Sequence, residues 1–298
     1  MFDFLRPYLV RLNFSDNHPT MKSSFFYCVV LFYFAACSTT KQTTVHPTLQ
    51  ATLWVQNSVE YDALSLMAYR TALTKLDLAL ADKNWTASLE QANMDVSQLT
   101  PAIILDIDET VLDNSPFQAR MINQESGFNP AEWEKWVLEA NADPVAGALE
   151  FIKKASEKGI TIFYLSNREA STEEATRKNL KDLGFPISEQ TDAVLLKGEK
   201  ENWTSSKIER RKIVSSNYRI LMLFGDDFND FLPAKNMAEN DRDDLLKTHT
   251  AYIGEKWFML PNPIYGSWND AMFDFNRSLS EEEKQAIINA HLNQKSQK

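Results

Sequence analysis

Cysteine is nearly absent from this 298-residue chain: Cys28 and Cys37 are the only two, and both precede residue 38. Everything after them is therefore without disulfides, thiolate zinc sites or cysteine nucleophiles. Histidine is sparse too. His18, His46, His249 and His291 lie far apart and in no metal-ligand spacing, which leaves little for histidine-based catalysis. Positive charge is in deficit, with 31 Lys and Arg against 41 Asp and Glu and a net charge of -10. Such a surface disfavours nucleic acid polymers as partners, although a local cluster of cations can still receive a small anion. What remains is an ordinary globular composition, 44% hydrophobic and 24% charged. The length suits one α/β core with an insertion, or at most two domains.

The N-terminal apolar run, residues 24–36, is preceded by Lys22 and ends in small residues. It is too short to span a bilayer comfortably, and its length is that of a signal peptide. Cys37 directly follows Ala35 and Ala36, the arrangement of a bacterial lipoprotein signal; an ordinary secretory cleavage site beside an incidental cysteine is the plainer alternative. Residues 1–20 add nothing to the signal, so Met21 is the expected true start. Residues 38–49 are polar and threonine-rich, as suits a tether between a lipid and a domain.

From residue 50 to 92 apolar residues recur near a helical period, through Leu53, Val55, Tyr61, Leu64, Leu66, Met67, Tyr69 and Leu73, predicting a helix. PAIILDID then reads as a buried strand, residues 144–158 as an amphipathic helix closed by Gly159, and ITIFYLS as a second strand. Ser171 and Glu174 predict a capping box for a helix through Leu183, stopped by Gly184. AVLL (193–196), a helix over 205–215, RILMLFG as a fourth strand and a last helix capped by Ser280 and Glu283 complete the pattern. Alternating strands and helices predict an α/β fold, a mainly parallel sheet covered by helices on both faces. The aromatic-rich segment 114–143, with Phe117, Phe128, Trp133 and Trp136, interrupts that alternation. It is expected to be either a small helical cap over a site or a packed surface helix, and its exposed aromatics could support a homodimer.

Chemistry gathers at the strand ends. Asp106 and Asp108 follow the first strand, Ser166-Asn167-Arg168 the second, and Asp226 and Asp230 the fourth, while Lys207 opens the helix after the third. In a parallel sheet all of these converge on the carboxyl edge, where open α/β sheets bind ligands. A lysine at a helix N-terminus opposes the macrodipole, and makes sense if an anion such as phosphate sits there. A carboxylate can act as nucleophile on phosphorus, and a neighbouring acid can protonate the leaving oxygen. Aspartates without nearby cysteine or histidine favour a hard cation, and magnesium suits phosphate best. Arg210 and Arg211 are expected on the surface, with assistance to the anion by one of them as the alternative.

DIDETVLDNS, FYLSNR, the lysine of SSKIERR and GDDFND resemble the four motifs of the haloacid dehalogenase (HAD) superfamily. In particular they are similar to those of the class C acid phosphatases, the outer-membrane lipoprotein nucleotidases of bacteria. The resemblance runs from about Leu53 to PNPIYGSW at 261–268. It implies a HAD-like Rossmannoid sheet with Asp106 as nucleophile and metal ligand. Asp108 would be the acid and base, giving magnesium its main-chain carbonyl. Asp226 would be a further ligand, and Asp230 would hold metal-bound water or Lys207. Ser166, Asn167 and Lys207 would bind phosphate. Trp133 and Tyr265, with Phe117 beside them, would line a box for a nucleobase or nicotinamide ring. The implied substrates are nucleoside 5′-monophosphates or nicotinamide mononucleotide, released outside the cytoplasm by an enzyme lipid-anchored through Cys37, on the outer membrane. Arg120 and Asp227 depart from the family pattern, where tryptophan and asparagine are common. A ligand-binding lipoprotein on the same fold, holding haem for instance, is the alternative.

Overall fold

Residues 45–292 are those described by the computed structural model; the signal segment, Cys37 and residues 38–44 lie outside them. The described elements run α1 (Leu49–Asn57), α2 (Val59–Ala81), β1 (Thr100–Leu105), β2 (Leu112–Asp113), α3 (Ser115–Asn123), α4 (Pro130–Glu139), β3 (Asp143–Pro144), α5 (Ala148–Glu157) and β4 (Thr161–Glu169). There follow α6 (Glu173–Asp182), β5 (Val194–Lys197), α7 (Ile208–Asn217), β6 (Tyr218–Gly225), α8 (Glu239–His249), β7 (Trp257–Met259), α9 (Ser267–Met272) and α10 (Glu281–His291).

Five strands pair in the order β5-β4-β1-β6-β7, every neighbouring pair parallel. The apolar runs explain why: with both faces covered by helices, successive side chains must all be buried. Ile103 and Leu105 of β1 join one core cluster with Tyr69, Leu76, Phe151, Ile152 and Leu180. Ala102 and Ile104 point the other way, into a second cluster with Phe163, Val214, Phe231 and Trp257. From the central β1 the chain builds outward to β4 and β5 on one side, then to β6 and β7 on the other. The carboxyl end of β1 is thus the switch point where such sheets bind ligands.

Segment 114–143 is mainly helical, as expected: α3 and α4 lie in the chain between β2 and β3, which pair as a two-stranded antiparallel ribbon. Four local expectations are corrected. The helix over 50–92 breaks at Ser58, whose side chain accepts from the Tyr61 amide as a new N-cap, and it ends at Ala81. Of the apolar residues that suggested it, Val55, Tyr61 and Tyr69 are buried but Leu53, Leu64 and Met67 are exposed, and Ser65, Ala72, Leu76 and Ala79 complete the buried stripe of α2. Ser171 does not cap α6. Its hydroxyl donates to Glu134 Oε1 of α4 at 2.7 Å, and Thr172 takes the cap position without a side-chain bond. Residues 45–49, expected within the tether, belong to the folded part: Leu49 already begins α1, and His46 Nε2 lies 3.1 Å from the Ser126 carbonyl oxygen. The Ser280–Glu283 capping box of α10 forms as read.

Candidate active site

Asp106 is the first residue past β1, and its amide continues the sheet by donating to the Phe224 carbonyl at 3.0 Å. Asp226 follows β6 directly, and Asp230 closes a 3₁₀ turn over Phe228–Asp230. Gly225 makes that turn feasible. A Cβ there would lie 2.5 Å from Asp230 Cγ, and closer still to its Oδ2 and Cβ, so only glycine lets the Asp230 side chain lie against the strand end. Carboxylate oxygens of Asp106, Asp226 and Asp230 lie within 4.8 Å of one another. Lys207, the N-cap of α7, reaches into this cluster and donates to Asp106 Oδ1 and, at 2.6 Å, to Asp230 Oδ1. Asp106, Lys207 and Asp230 are all buried.

Burial raises the Asp106 carboxyl to about 7 against the opposing pull of Lys207, with Asp230 and Asp108 adding to the rise. Asp226 is pushed well above the usual carboxylate range, by burial first and then by Asp106, Asp230 and Glu109. For Lys207, burial alone would lower the ammonium, but Asp106 and Asp230 outweigh it and the net direction is upward. Three carboxylates facing one ammonium are short of positive charge in a poorly solvated place. Hard oxygen donors at this spacing fit a divalent cation of the magnesium type.

The Asp108 carboxylate lies outside that triad. Its Oδ1 accepts from Arg168 Nε and from Asn114 Nδ2, each at 2.9 Å, and its Oδ2 from the Ser166 hydroxyl at 3.1 Å. Any metal contact by Asp108 would therefore fall to its main chain. Ser166 is fully buried and also accepts the Arg168 amide at 3.0 Å, so its hydroxyl serves Asp108 here. Asn167 is exposed, and its side chain is occupied: Nδ2 donates to Ser205 O at 3.0 Å, and Oδ1 accepts from Arg210 at 2.7 Å.

Arg210 and Arg211 are buried, not on the surface as expected. Arg210 donates to the carbonyls of Ser166, Leu195, Thr204 and Ser206, tying β4 and β5 to the loop before α7. Arg211 holds Glu90 Oε1 and the carbonyls of Asn229 and Asp230. Guanidinium is suited to this task, since its five donors in a fixed fork can satisfy several carbonyls at once.

Phe117 is 2% exposed and lies in the main core cluster, so in this arrangement it backs the site and offers a ligand no face. Trp133 packs edge-on against it at 5.1 Å and carries the Arg168 guanidinium 5.8 Å from its ring centre. Trp136 donates to Asn114 Oδ1 at 2.8 Å, which connects the cap to the residue that holds Asp108. Arg120 forms an exposed ion pair with Glu139 and lies 4.8 Å over the Trp136 ring. Asn262 of the PNPIYGSW segment donates to Asp226 Oδ2 at 2.7 Å, and its Oδ1 accepts the amides of Ile264 and Tyr265. The Tyr265 hydroxyl donates to Glu109 Oε2. Asp227 accepts the Ser267 amide and hydroxyl, stitching the two loops a second time. Glu109, Asn114 and Asn262 were not singled out from sequence. Their presence inside quoted motifs was the only available signal.

The family model of the HAD superfamily, subfamily IIIB (Acid phosphatase), matches residues 35–268. The solved structure of the class C acid phosphatase from Bacillus anthracis is 36% identical and covers 85% of this chain and 99% of its own, with a TM-score of 0.73. A crystal structure of the class C acid phosphatase from the same organism with tungstate bound gives 0.74 at the same identity and coverage. Among curated proteins, acid phosphatase 1 of Solanum lycopersicum is 28% identical over 166 residues, and a stem 31 kDa glycoprotein of Glycine max is 30% identical over 166. Each match takes in 54% of this chain, and the chain spans only 57% and 58% of those two proteins.

Proposed function

From the premise that the chain belongs to the HAD superfamily, subfamily IIIB of acid phosphatases, we propose that it hydrolyses phosphate monoesters through an aspartyl-phosphate on Asp106. The observation that carries this reading is the meeting of Asp106, Asp226, Asp230 and Lys207 at the carboxyl end of β1.

The chemistry assigns each residue a task. A carboxylate oxygen of Asp106 attacks phosphorus as the ester P–O bond breaks, and the leaving alkoxide takes a proton from Asp108. Water then attacks the phosphorus of the aspartyl-phosphate and gives a proton back to Asp108, releasing orthophosphate and restoring Asp106. Lys207 neutralises the transferring group from the side of Asp230. Asp106, the Asp108 main chain and Asp226 would hold Mg²⁺, which supplies positive charge against the phosphate oxygens. Arg168, Asn114 and the Ser166 hydroxyl fix the Asp108 carboxyl, so that it starts each cycle in one orientation.

Nucleoside 5′-monophosphates or nicotinamide mononucleotide are the proposed substrates, with the Tyr265 and Trp133 rings flanking the base. Support comes from Tyr265 being bonded into the catalytic loop through Glu109 and from Trp133 lying over Arg168. The lipid anchor on Cys37, and with it a place on the bacterial outer membrane, rests on the sequence signal alone; mass spectrometry of the native N-terminus tests it, and an unlipidated Cys37 would overturn it.

The function itself is tested by hydrolysis of p-nitrophenyl phosphate with and without EDTA, comparing Asp106→Asn with the parent. A loss of at least ~10³-fold is expected on removing a covalent nucleophile. Substantial turnover by the variant would rule out the aspartyl-phosphate route, and full activity in EDTA would rule out the metal. A folded parent that binds a ligand such as haem but turns over no phosphomonoester would favour a binding protein.

A further inference from the structure

Glu109 adopts φ 57°, the left-handed region that glycine enters freely and other residues enter only at a cost. A loop that keeps a glutamate in such a place needs its side chain. That side chain is almost wholly buried. Its Oε1 accepts the Asn114 amide at 3.0 Å, while Oε2 accepts the Tyr265 hydroxyl and, at 3.4 Å, the Asn114 side-chain amide.

The backbone at Tyr265 does not depend on Glu109. Asn262 already binds the amides of Ile264 and Tyr265, and Tyr265 packs beside Val55, Tyr61 and Ile264. What the bond to Glu109 adds is the direction of the ring, because a phenol anchored at its far end cannot swing about χ1. We propose that Glu109 is a positioning residue which, by holding the Tyr265 hydroxyl, sets the preference for phosphomonoesters that carry a planar ring over those that do not. This rests on the proposed phosphatase reading and on Tyr265 offering its ring to substrate.

The test compares steady-state constants for adenosine 5′-monophosphate and for glycerol phosphate, which has no ring, using the full chain with Mg²⁺. In Glu109→Ala the KM for the nucleotide, relative to that for glycerol phosphate, should rise about tenfold, the upper scale of losing one hydrogen bond. Tyr265→Phe keeps the ring and cuts the same bond, so it should give the same shift even if the alanine variant fails to fold. Combining the two changes should add nothing further. Glu109→Gln retains an acceptor and should lie close to the parent. Equal losses on both substrates in Glu109→Ala, or a Tyr265→Phe variant with unaltered preference, would overturn the proposal while leaving the phosphatase reading intact. Tyr265→Ala with unaltered preference would instead remove the ring contact itself, and a parent inactive on both esters would end both readings.

Discussion

Substituting alanine at Gly225 tests the site without touching a catalytic group. The new Cβ would lie 2.5 Å from Asp230 Cγ and closer still to its Oδ2. Non-bonded heavy atoms settle at ~3.5 Å, so one partner must retreat by at least ~1 Å. Gly225 is held by the sheet, since its carbonyl accepts the Leu260 amide at 2.9 Å, and Asp230 is the side that gives way. Its bond to Lys207 stands at 2.6 Å; a retreat of ~1 Å takes it past the hydrogen-bonding range. The bond from the Asp227 amide to Asp230 Oδ2, 3.0 Å now, is displaced with it. Overpacking of this kind costs roughly 1–3 kcal/mol, which for a domain of this size lowers Tm by about 2–12 °C. Misplacing a reacting constellation by ~1 Å costs about 10²-fold in rate. Calorimetry and p-nitrophenyl phosphate kinetics on Gly225→Ala, at saturating Mg²⁺, read the two effects separately. A variant with parental Tm and kcat would show that Asp230 does not need its place against the strand end.

Three further outcomes follow from other contacts. Asn262→Ala frees Asp226 from its 2.7 Å partner, and the Mg²⁺ concentration giving half-maximal activity should rise about tenfold or more, the usual scale for losing a residue that orients a metal ligand. Arg210→Lys leaves a compact ammonium where a fork bridged four carbonyls and Asn167; Tm should fall by several degrees and the inhibition constant of inorganic phosphate should rise, and an unchanged constant would show that Arg210 does not support the proposed phosphate site. In EDTA, Asp106, raised to about 7, and Asp226, raised well above the usual carboxylate range, bind protons more tightly folded than unfolded, burial being the main cause. Their contribution therefore favours the folded state as pH falls through about 7, with the gain complete below the unfolded value of ~3.9. Thermal melts should show Mg²⁺ stabilising more at pH 8 than at pH 5, because protons compete for the same oxygens.

The sheet was legible because strands such as PAIILD, ITIFYLS and RILMLFG are short runs buried on both faces. β7 was not, because Trp257–Met259 is three residues long and owes its strand to pairing with β6. The aspartates and Lys207 were readable from their positions at strand and helix ends, which topology alone brings to one edge. The residues that hold them in place were not. Arg210 and Arg211 follow a helix start in a charged stretch, and by residue type alone an arginine belongs at the surface.

What buries these arginines is the site itself. Loops that bring carboxylates to a sheet edge turn their own carbonyls inward, and those carbonyls need donors that no strand can supply. Arg210 serves the loops on the Ser166 side, and Arg211 serves the turn ending at Asp230. Adjacent on one helix, they brace the two sides of the sheet edge where Asp106, Lys207 and Asp230 meet. Glu109 and Asn262 do the same for the Tyr265 segment, through acceptors aimed at a hydroxyl and at backbone amides. Arg210 and Ser166 stand 44 positions apart, and Glu109 and Tyr265 stand 156 apart, separations at which no local periodicity carries a signal. Asp106 announces itself by where its strand ends, whereas its scaffold is defined only once the loops have met.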